Sequence, residues 1–399
     1  MQQTNFSLGI YYLSLLYAFI IPLSRAGIVG ASALLILFSI LEGGWKNRWI
    51  ELKSCKIFLA ISLFILYNLV SLLWTDMFLE SIKYISKYWY FLPAFIIFTS
   101  FPKEKSGELL TFFISGMLIS EIISYGIFFE FWTTKHGTFV DPTPFMNHLD
   151  YSIFLAFTSI ATLIKFLYAD NIRSQVVYTI FFLTVSSNLF ITAGRSGQLA
   201  FFVTLAIIMF IYFRKNIFKS IPATILISIL VLIAPMLLSD TFKNRIFQAK
   251  NDSSKVVAHR DYNSSLGMRI GSWEVASDIV ENEPILGVGN QDNIENLREI
   301  TTEKEYLLPL HWFPHFHNQY LEIITSLGLL GLLIFLNIFF QIYKADYQNR
   351  EEFLTQIGFT TIFLVGFVAE PFLHKQFTMA LFSIILGYIL LNSKKVKIK

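Results

Sequence analysis

Three short polar stretches contain residues whose types could bind phosphate and move a proton. They are TAGRSGQ around Arg195, SLGMRIGSWEVA around Arg269 and PHFHNQYLE around His317. Arginine stays charged at physiological pH and binds phosphate oxygens through two parallel hydrogen bonds. Histidine is the side chain whose ordinary pKa allows proton exchange near neutral pH. Together these residues predict a site that binds an anionic group and activates a hydroxyl.

His317 is the strongest candidate for the proton-transfer group, although a lone histidine is more often structural. Pro314 and the polar residues near it predict a helix start, where an imidazole is kept neutral. A neutral histidine can accept the proton of a hydroxyl whose oxygen attacks a substrate. His315, two residues earlier, would point elsewhere on a helix and is the weaker candidate. Asn318 and Glu322 share a helix face at i,i+4 and can support the site.

Arg195 and Arg269 are the candidate phosphate-binding residues. As an alternative, Arg195 is an interfacial anchor, but Gly194 and Gly197 leave its backbone open to a ligand. Arg269 is alternatively a solvated loop charge. Trp273 follows it by one helical turn and can pack on the guanidinium or on a sugar ring.

Metal and nucleotide chemistry lack sequence support. The chain has one cysteine, Cys55, and contains neither HExxH nor a DxD pair. The glycines at 287 and 289 lack the third glycine and the strand–helix context of a dinucleotide fingerprint, and there is no Walker motif. We therefore expect no metal and no cofactor, so the substrate itself must be the activated species.

The composition predicts an all-α polytopic membrane protein. Of 399 residues, 54% are hydrophobic and only 15% are charged. Many apolar runs are long enough to cross a hydrocarbon core of about 30 Å. Residues 80–90, with Lys83 and Lys87 among aromatics, are typical of an interfacial helix. About twelve transmembrane helices are predicted near residues 8–23, 26–41, 57–73, 88–100, 109–131, 151–167, 176–192, 199–213, 221–238, 320–343, 357–368 and 377–391.

Basic residues concentrate in the segments on one side of these spans, which places both chain ends in the cytoplasm. This topology divides the chain into helices 1–9 (1–238), an outer loop subdomain with site residues (239–319), and helices 10–12 with a basic tail (320–399). The loop contains a helical signal, SWEVASDIVEN, and a turn-rich stretch, EPILGVGNQDN. Other outer residues can line a substrate groove, but each fits an interfacial or structural role more readily: Arg25, Asp141, His148, His311, Trp312, Glu370, His374 and Lys375.

These motifs resemble the bacterial O-antigen ligase family, within a group that includes O-antigen polymerases and protein O-oligosaccharyltransferases. The resemblance covers the hydropathy layout of the whole chain, with a large loop before the last three spans. It is sharpest in TAGRSGQLAFF, SLGMRIGSWEVA and HFHNQYLEIITSLGLLGLLIF. These strings contain Arg195, Arg269 and the pair His317–Asn318.

The resemblance implies transfer of an O-antigen glycan from undecaprenyl diphosphate to a lipid A–core sugar. The reaction would take place at the periplasmic face of the bacterial inner membrane, by a metal-independent inverting transfer. His317 would activate the acceptor hydroxyl, and Arg195 and Arg269 would hold the diphosphate.

Other hypotheses remain open at this point. An O-antigen polymerase uses the same donor, and a protein O-oligosaccharyltransferase differs in its acceptor. A transporter of lipid-linked sugars belongs to another class and would show repeated halves, broken helices and charges buried near the bilayer midplane. Glu121 is the clearest ionisable residue within a predicted span. The remaining polar residues collect at the outer boundary, which favours an enzyme.

Overall fold

The computed structural model describes residues 5–135, 137–238, 262–347 and 349–393, and its helical architecture there confirms the predicted all-α class. The α-helices in chain order are α1 (Asn5–Ile20), α2 (Arg25–Glu42), α3 (Trp45–Ser54), α4 (Lys56–Val70), α5 (Phe78–Ser86), α6 (Leu92–Ser100), α7 (Ser106–Phe128), α8 (His148–Leu167), α9 (Ile172–Ile191), α10 (Arg195–Tyr212), α11 (Ile217–Leu238), α12 (Ser265–Asn282), α13 (Asp292–Glu303), α14 (Gln319–Tyr343), α15 (Arg350–Gly366) and α16 (Gln376–Asn392).

Within these ranges, 8 helices are long and apolar enough to cross a membrane: α2, α4 with its following 3-10 turn, α7, α8, α9, α10, α11 and α14. The helices α1 and α16 are apolar but shorter. The predicted span at 88–100 is mostly the nine-residue α6, which rises only about 14 Å. The total of twelve spans therefore stays a prediction.

Helix α8 is the centre of the bundle. It is buried along most of its length and packs against α9, α10 and α15. Its hydroxyl side chains bond to carbonyls of the preceding turn, as Thr158 does to Phe154, so they can be buried without losing hydrogen bonds. This central packing fixes the N-terminal ends of α8 and α10, which carry polar residues.

Residues 262–318 form a small subdomain with its own hydrophobic core. Helices α12 and α13 and the 3-10 helix Glu305–Leu310 surround Ile279, Leu297 and Phe316. The predicted helix at SWEVASDIVEN lies within α12, and the turn-rich stretch separates α12 from α13, as expected. Residues 239–261 and the basic tail at 394–399 lie outside the described residues, so the predicted side and full extent of the loop remain predictions.

Helix α14 is broken at Gly328, a feature that the sequence analysis did not predict. Gly328 has φ 66° and ψ −170°, and residues 284–289 pack into the break. The Val288 N–H donates to the Thr325 carbonyl over 3.0 Å. A Cβ atom at Gly328 would overlap the Ile285 carbonyl, so only glycine fits there. This contact attaches the subdomain to the N-terminal half of α14.

Candidate active site

His317 and Glu370 form a hydrogen-bonded pair between the start of α14 and the end of α15. The His317 Nδ1 atom lies 2.8 Å from Glu370 Oε2. The Glu370 side chain is 1% exposed, whereas the His317 side chain is 26% exposed. A buried carboxylate thus holds one nitrogen of a histidine ring that remains accessible.

The charge state of Glu370 determines which nitrogen of His317 carries the proton. Burial opposes ionisation of Glu370, but the His317 hydrogen bond and the charge of Lys375 outweigh it and lower the pKa to about 2. An ionised carboxylate only accepts hydrogen bonds, so His317 Nδ1 must donate. The neutral ring then has its lone pair on Nε2, where it can accept a proton.

His315 contacts the same carboxylate, which corrects the prediction that it points elsewhere. Its Nε2 atom lies 3.2 Å from Glu370 Oε1, and its Nδ1 atom accepts the His317 backbone N–H over 3.2 Å. The prediction was wrong because it assumed helical spacing, whereas α14 begins only at Gln319. Burial lowers the pKa of His315 to about 4, so its ring is neutral at pH 7.

The backbone at His317 adopts an uncommon conformation that its neighbours hold in place. His317 has φ 50°, in the left-handed region that side chains rarely adopt. Asn318 caps α14 by accepting the Tyr320 N–H over 2.8 Å. The buried Glu322 carboxylate accepts the Phe316 N–H over 3.0 Å. The two residues predicted as supports therefore contact the backbone on either side of His317.

Lys375 completes the surroundings of Glu370. Its ammonium lies 2.6 Å from Glu370 Oε1 and 3.6 Å from Asp150 Oδ1. Lys375 is also the N-cap residue of α16. The network therefore joins residues from α8, the α15–α16 connection and the segment before α14.

Arg195 is the first residue of α10, and close backbone packing positions it. A Cβ atom at Gly194 or Gly197 would clash with Ser152 of α8. The Gly197 N–H donates to Ser152 Oγ over 3.2 Å. The Asp141 carboxylate accepts the N–H of Ala193, next to this turn, over 2.9 Å. These contacts give the two glycines of TAGRSGQ a packing role.

Arg269 lies in the second turn of α12, within electrostatic range of the other site residues. Burial lowers its pKa, the negative charge of Glu370 raises it, and the positive charge of Arg195 lowers it. The structure thus places Arg269 within electrostatic range of Glu370, the partner of His317, and of Arg195. Trp273, one turn after Arg269, is 47% exposed, and its contact with a sugar ring remains a prediction.

The nitrogen and oxygen atoms of His315, His317 and Glu370 lie within 4.8 Å of one another, a spacing that suits a metal ion. The positions of the protons on these groups do not suit a metal ion. Both histidines donate N–H groups toward Glu370, and the Lys375 ammonium already bonds that carboxylate. A divalent ion would have to displace all three donors. The cluster fits a proton-transfer site better than a metal site.

Comparison with known proteins relates this site to a family. Residues 180–336 match the family model described as O-antigen ligase, a segment that includes Arg195, Arg269 and His317 but ends before Glu370. The chain is also similar to an uncharacterized protein of Haemophilus influenzae. The two are 25% identical over 313 residues, covering 75% of this chain and 76% of that protein. The resemblance to the O-antigen ligase family is therefore confirmed, through the segment 180–336.

Proposed function

We propose that the protein transfers an O-antigen glycan from undecaprenyl diphosphate to a sugar hydroxyl of lipid A–core at the periplasmic face of the inner membrane. The observation that carries this proposal is the His317–Glu370 pair, which lies within electrostatic range of Arg269, and Arg269 in turn lies within range of Arg195. Glycosyl transfer from a diphosphate carrier needs a base that activates the acceptor hydroxyl and a cationic group that binds the leaving diphosphate.

In the proposed reaction, His317 Nε2 accepts the proton of the acceptor hydroxyl as its oxygen attacks the anomeric carbon. The new carbon–oxygen bond forms while the bond to the diphosphate breaks, and the configuration inverts. Glu370 holds the ring through Nδ1 and stabilises the imidazolium that results. The leaving diphosphate keeps the electron pair of the broken bond.

Arg195 and Arg269 would neutralise the leaving diphosphate. Burial is the main cause of the lowered pKa of Arg269, and the positive charge of Arg195 lowers it further. An anion between them would relieve this repulsion, which supports a binding role for the pair. Transition-state charge that develops near prepositioned arginines is stabilised without reorganisation of the site.

Lipopolysaccharide banding from cells that lack the gene tests the proposal. A ligase defect leaves lipid A–core bare while full-length O-antigen accumulates on the lipid carrier. A core with one repeat unit and no ladder would assign the protein as a polymerase. Normal banding would exclude both lipopolysaccharide roles and direct the search to glycoprotein acceptors. Restoration by the wild-type gene but not by His317→Asn would link the phenotype to this site.

Replacing Arg269 by lysine is expected to slow transfer by about tenfold to a hundredfold, although the charge is kept. A lysine lacks the paired N–H groups that bind phosphate bidentately, and charge-assisted hydrogen bonds contribute about 1.5–3 kcal/mol. Arg298→Lys, which alters an exposed arginine paired with Glu295, is the matched control. Wild-type rates in both Arg195→Ala and Arg269→Ala would disprove the diphosphate clamp.

Removing divalent ions with EDTA is expected to leave the transfer rate unchanged. The reason is that His315, His317 and Lys375 all place nitrogen atoms against the Glu370 carboxylate, and a divalent ion would have to displace them. The measurement is transfer by purified protein in vesicles before and after chelation. A loss that one added divalent ion restores would contradict the metal-independent mechanism.

A further inference from the structure

A cavity of about 460 Å³ lies beside the Glu370–Lys375 pair. It is separate from the arginine pair, since neither Arg195 nor Arg269 lines it. Its lining includes three cations and three aromatic rings: Arg25, Lys87, Lys375, Trp89, Tyr90 and Phe377. We call it the cationic cavity.

The cationic cavity has an excess of positive charge. Lys375 is shared between Glu370 and Asp150, which balance it. Lys87 Nζ lies 3.4 Å from His374 Nδ1. Burial and the charge of Lys87 lower the pKa of His374 to about 3, so this histidine is a neutral acceptor. Within the described ranges, neither Arg25 nor Lys87 has a carboxylate within ion-pair distance.

The N-terminal ends of three helices also meet at the cationic cavity. Arg25 begins α2, Asn147 caps α8, and Gln376 begins α16. The Gln376 side chain donates to the Arg25 carbonyl over 2.8 Å and joins two of these ends. Each helix N-terminus carries a partial positive charge that favours an anion. Asp150 offsets part of this field on α8, and the other two N-termini have no acidic residue in their first turn.

The cationic cavity and the base share one hydrogen-bonded network. Lys375 lines the cavity and bonds Glu370, which bonds His317. Arg269 interacts electrostatically with Glu370, and the cationic cavity is joined to Glu370 through the Lys375 ion pair. A transferase must hold two substrates around one base, and this protein has a cationic region for each.

We infer that the cationic cavity binds a phosphate-bearing sugar of the acceptor, with the partly exposed Trp89 ring against the sugar. The inference rests on the proposed function, because only there is the acceptor a glycolipid. The unpaired charges of Arg25 and Lys87 contact the phosphate. The sugar that carries the attacking hydroxyl then extends toward His317.

The test measures how fast a lysine-acetylating reagent modifies Lys87 in the full-length protein in phosphatidylcholine nanodiscs. Lys83 is an internal control, because it is exposed on the same stretch and does not line the cavity. Glucose 6-phosphate is the probe, and glucose is the uncharged control. At a concentration ten times the probe's Kd, mass action slows Lys87 modification about tenfold. Lys83 keeps its rate and glucose has no effect. Arg25→Gln raises the probe's Kd by about tenfold, which leaves only about twofold protection at the same concentration.

Two results would overturn the inference. Equal rates at Lys87 with glucose and glucose 6-phosphate would show that the cavity does not select an anionic sugar. Protection of Lys87 by nanodiscs containing phosphatidylglycerol, without added sugar phosphate, would assign the cavity to a bulk lipid headgroup. The assay involves no transfer, so its failure is distinguishable from a failure of the proposed function, which the lipopolysaccharide bands report.

Discussion

Replacing Glu370 by glutamine is expected to lower the rate constant of transfer by about 10³- to 10⁴-fold, close to the loss that follows amidation of the carboxylate in a Ser-His-Asp triad. The substitution keeps the size of the side chain. It removes the charge and one of the two acceptor oxygens that face His317, His315 and Lys375. The expected loss is in kcat, since Glu370 positions the base.

The loss arises from the proton position on His317. The Lys375 ammonium lies 2.6 Å from Glu370 Oε1 and His315 Nε2 lies 3.2 Å from it, so the amide oxygen of the variant should remain on this side. The amide NH₂ group then faces His317 Nδ1 and donates to it. The ring proton moves to Nε2, which can no longer accept from the acceptor hydroxyl. Because the pKa of Glu370 is about 2, the wild-type carboxylate stays ionised from pH 5 to 8, and the variant lacks this charge over the whole range.

The measurement is kcat and donor KM for purified protein in vesicles. Glu303→Gln, which alters an exposed carboxylate on α13, is the matched control and should behave as wild type. A thermal midpoint close to wild type would show that the Glu370 variant is folded. A folded variant with an unchanged kcat would contradict the orienting role.

Most helices could be predicted from the sequence, because a long apolar run identifies a segment that can be buried as a helix. Eleven of the predicted spans overlap an α-helix of at least fifteen residues. Residues 88–100 do not, because Pro93 lies in the first turn of a short helix and a 3-10 segment precedes it. The length of an apolar run does not reveal where its helix starts. The position of that start determines whether the helix is long enough to cross a membrane.

The residues of the candidate site were predictable only where each lies in a recognisable local polar motif. Arg195, Arg269 and His317 each lie in a local polar motif. Glu370 lies 53 residues beyond His317, and it is outside the segment that matches the family model. Its signal was an acidic residue in FVAEPFLHK, at the end of a span and close to Lys375. Pairing between helix ends depends on the packing of α14 against α15, which hydropathy does not specify.

The break at Gly328 bears on the transporter hypothesis, because broken helices were one of its expected features. In transporters the freed backbone groups of such breaks line a substrate path. Here residues 284–289 fill the break and take its hydrogen bonds, as Val288 and Gly289 do with Thr325 and Ser326. The break therefore acts as an attachment point for the subdomain that carries Arg269. This arrangement favours a surface enzyme.

Replacing His317 by alanine or asparagine is expected to abolish measurable transfer, a loss of at least about 10³-fold, because both variants remove the imidazole proposed as the general base. Two variants are needed because His317 has φ 50°. Alanine disfavours this backbone conformation, whereas asparagine tolerates it. The asparagine variant thus removes the imidazole and largely keeps the backbone. Lipid-linked glycan should accumulate in cells that carry either variant.

Two further histidine variants distinguish a role of His317 in proton transfer from a role in the local fold. His311→Ala alters a histidine of the same subdomain whose ring contacts Thr301, and it should keep the wild-type rate. His315→Ala should be intermediate, because it removes the acceptor for the His317 N–H but leaves the His317–Glu370 bond. If His317→Asn were active while His317→Ala was not, the role of His317 would be to allow the left-handed backbone conformation, and another residue would be the base. Loss in both, with thermal midpoints near wild type, would assign the proton transfer to the imidazole.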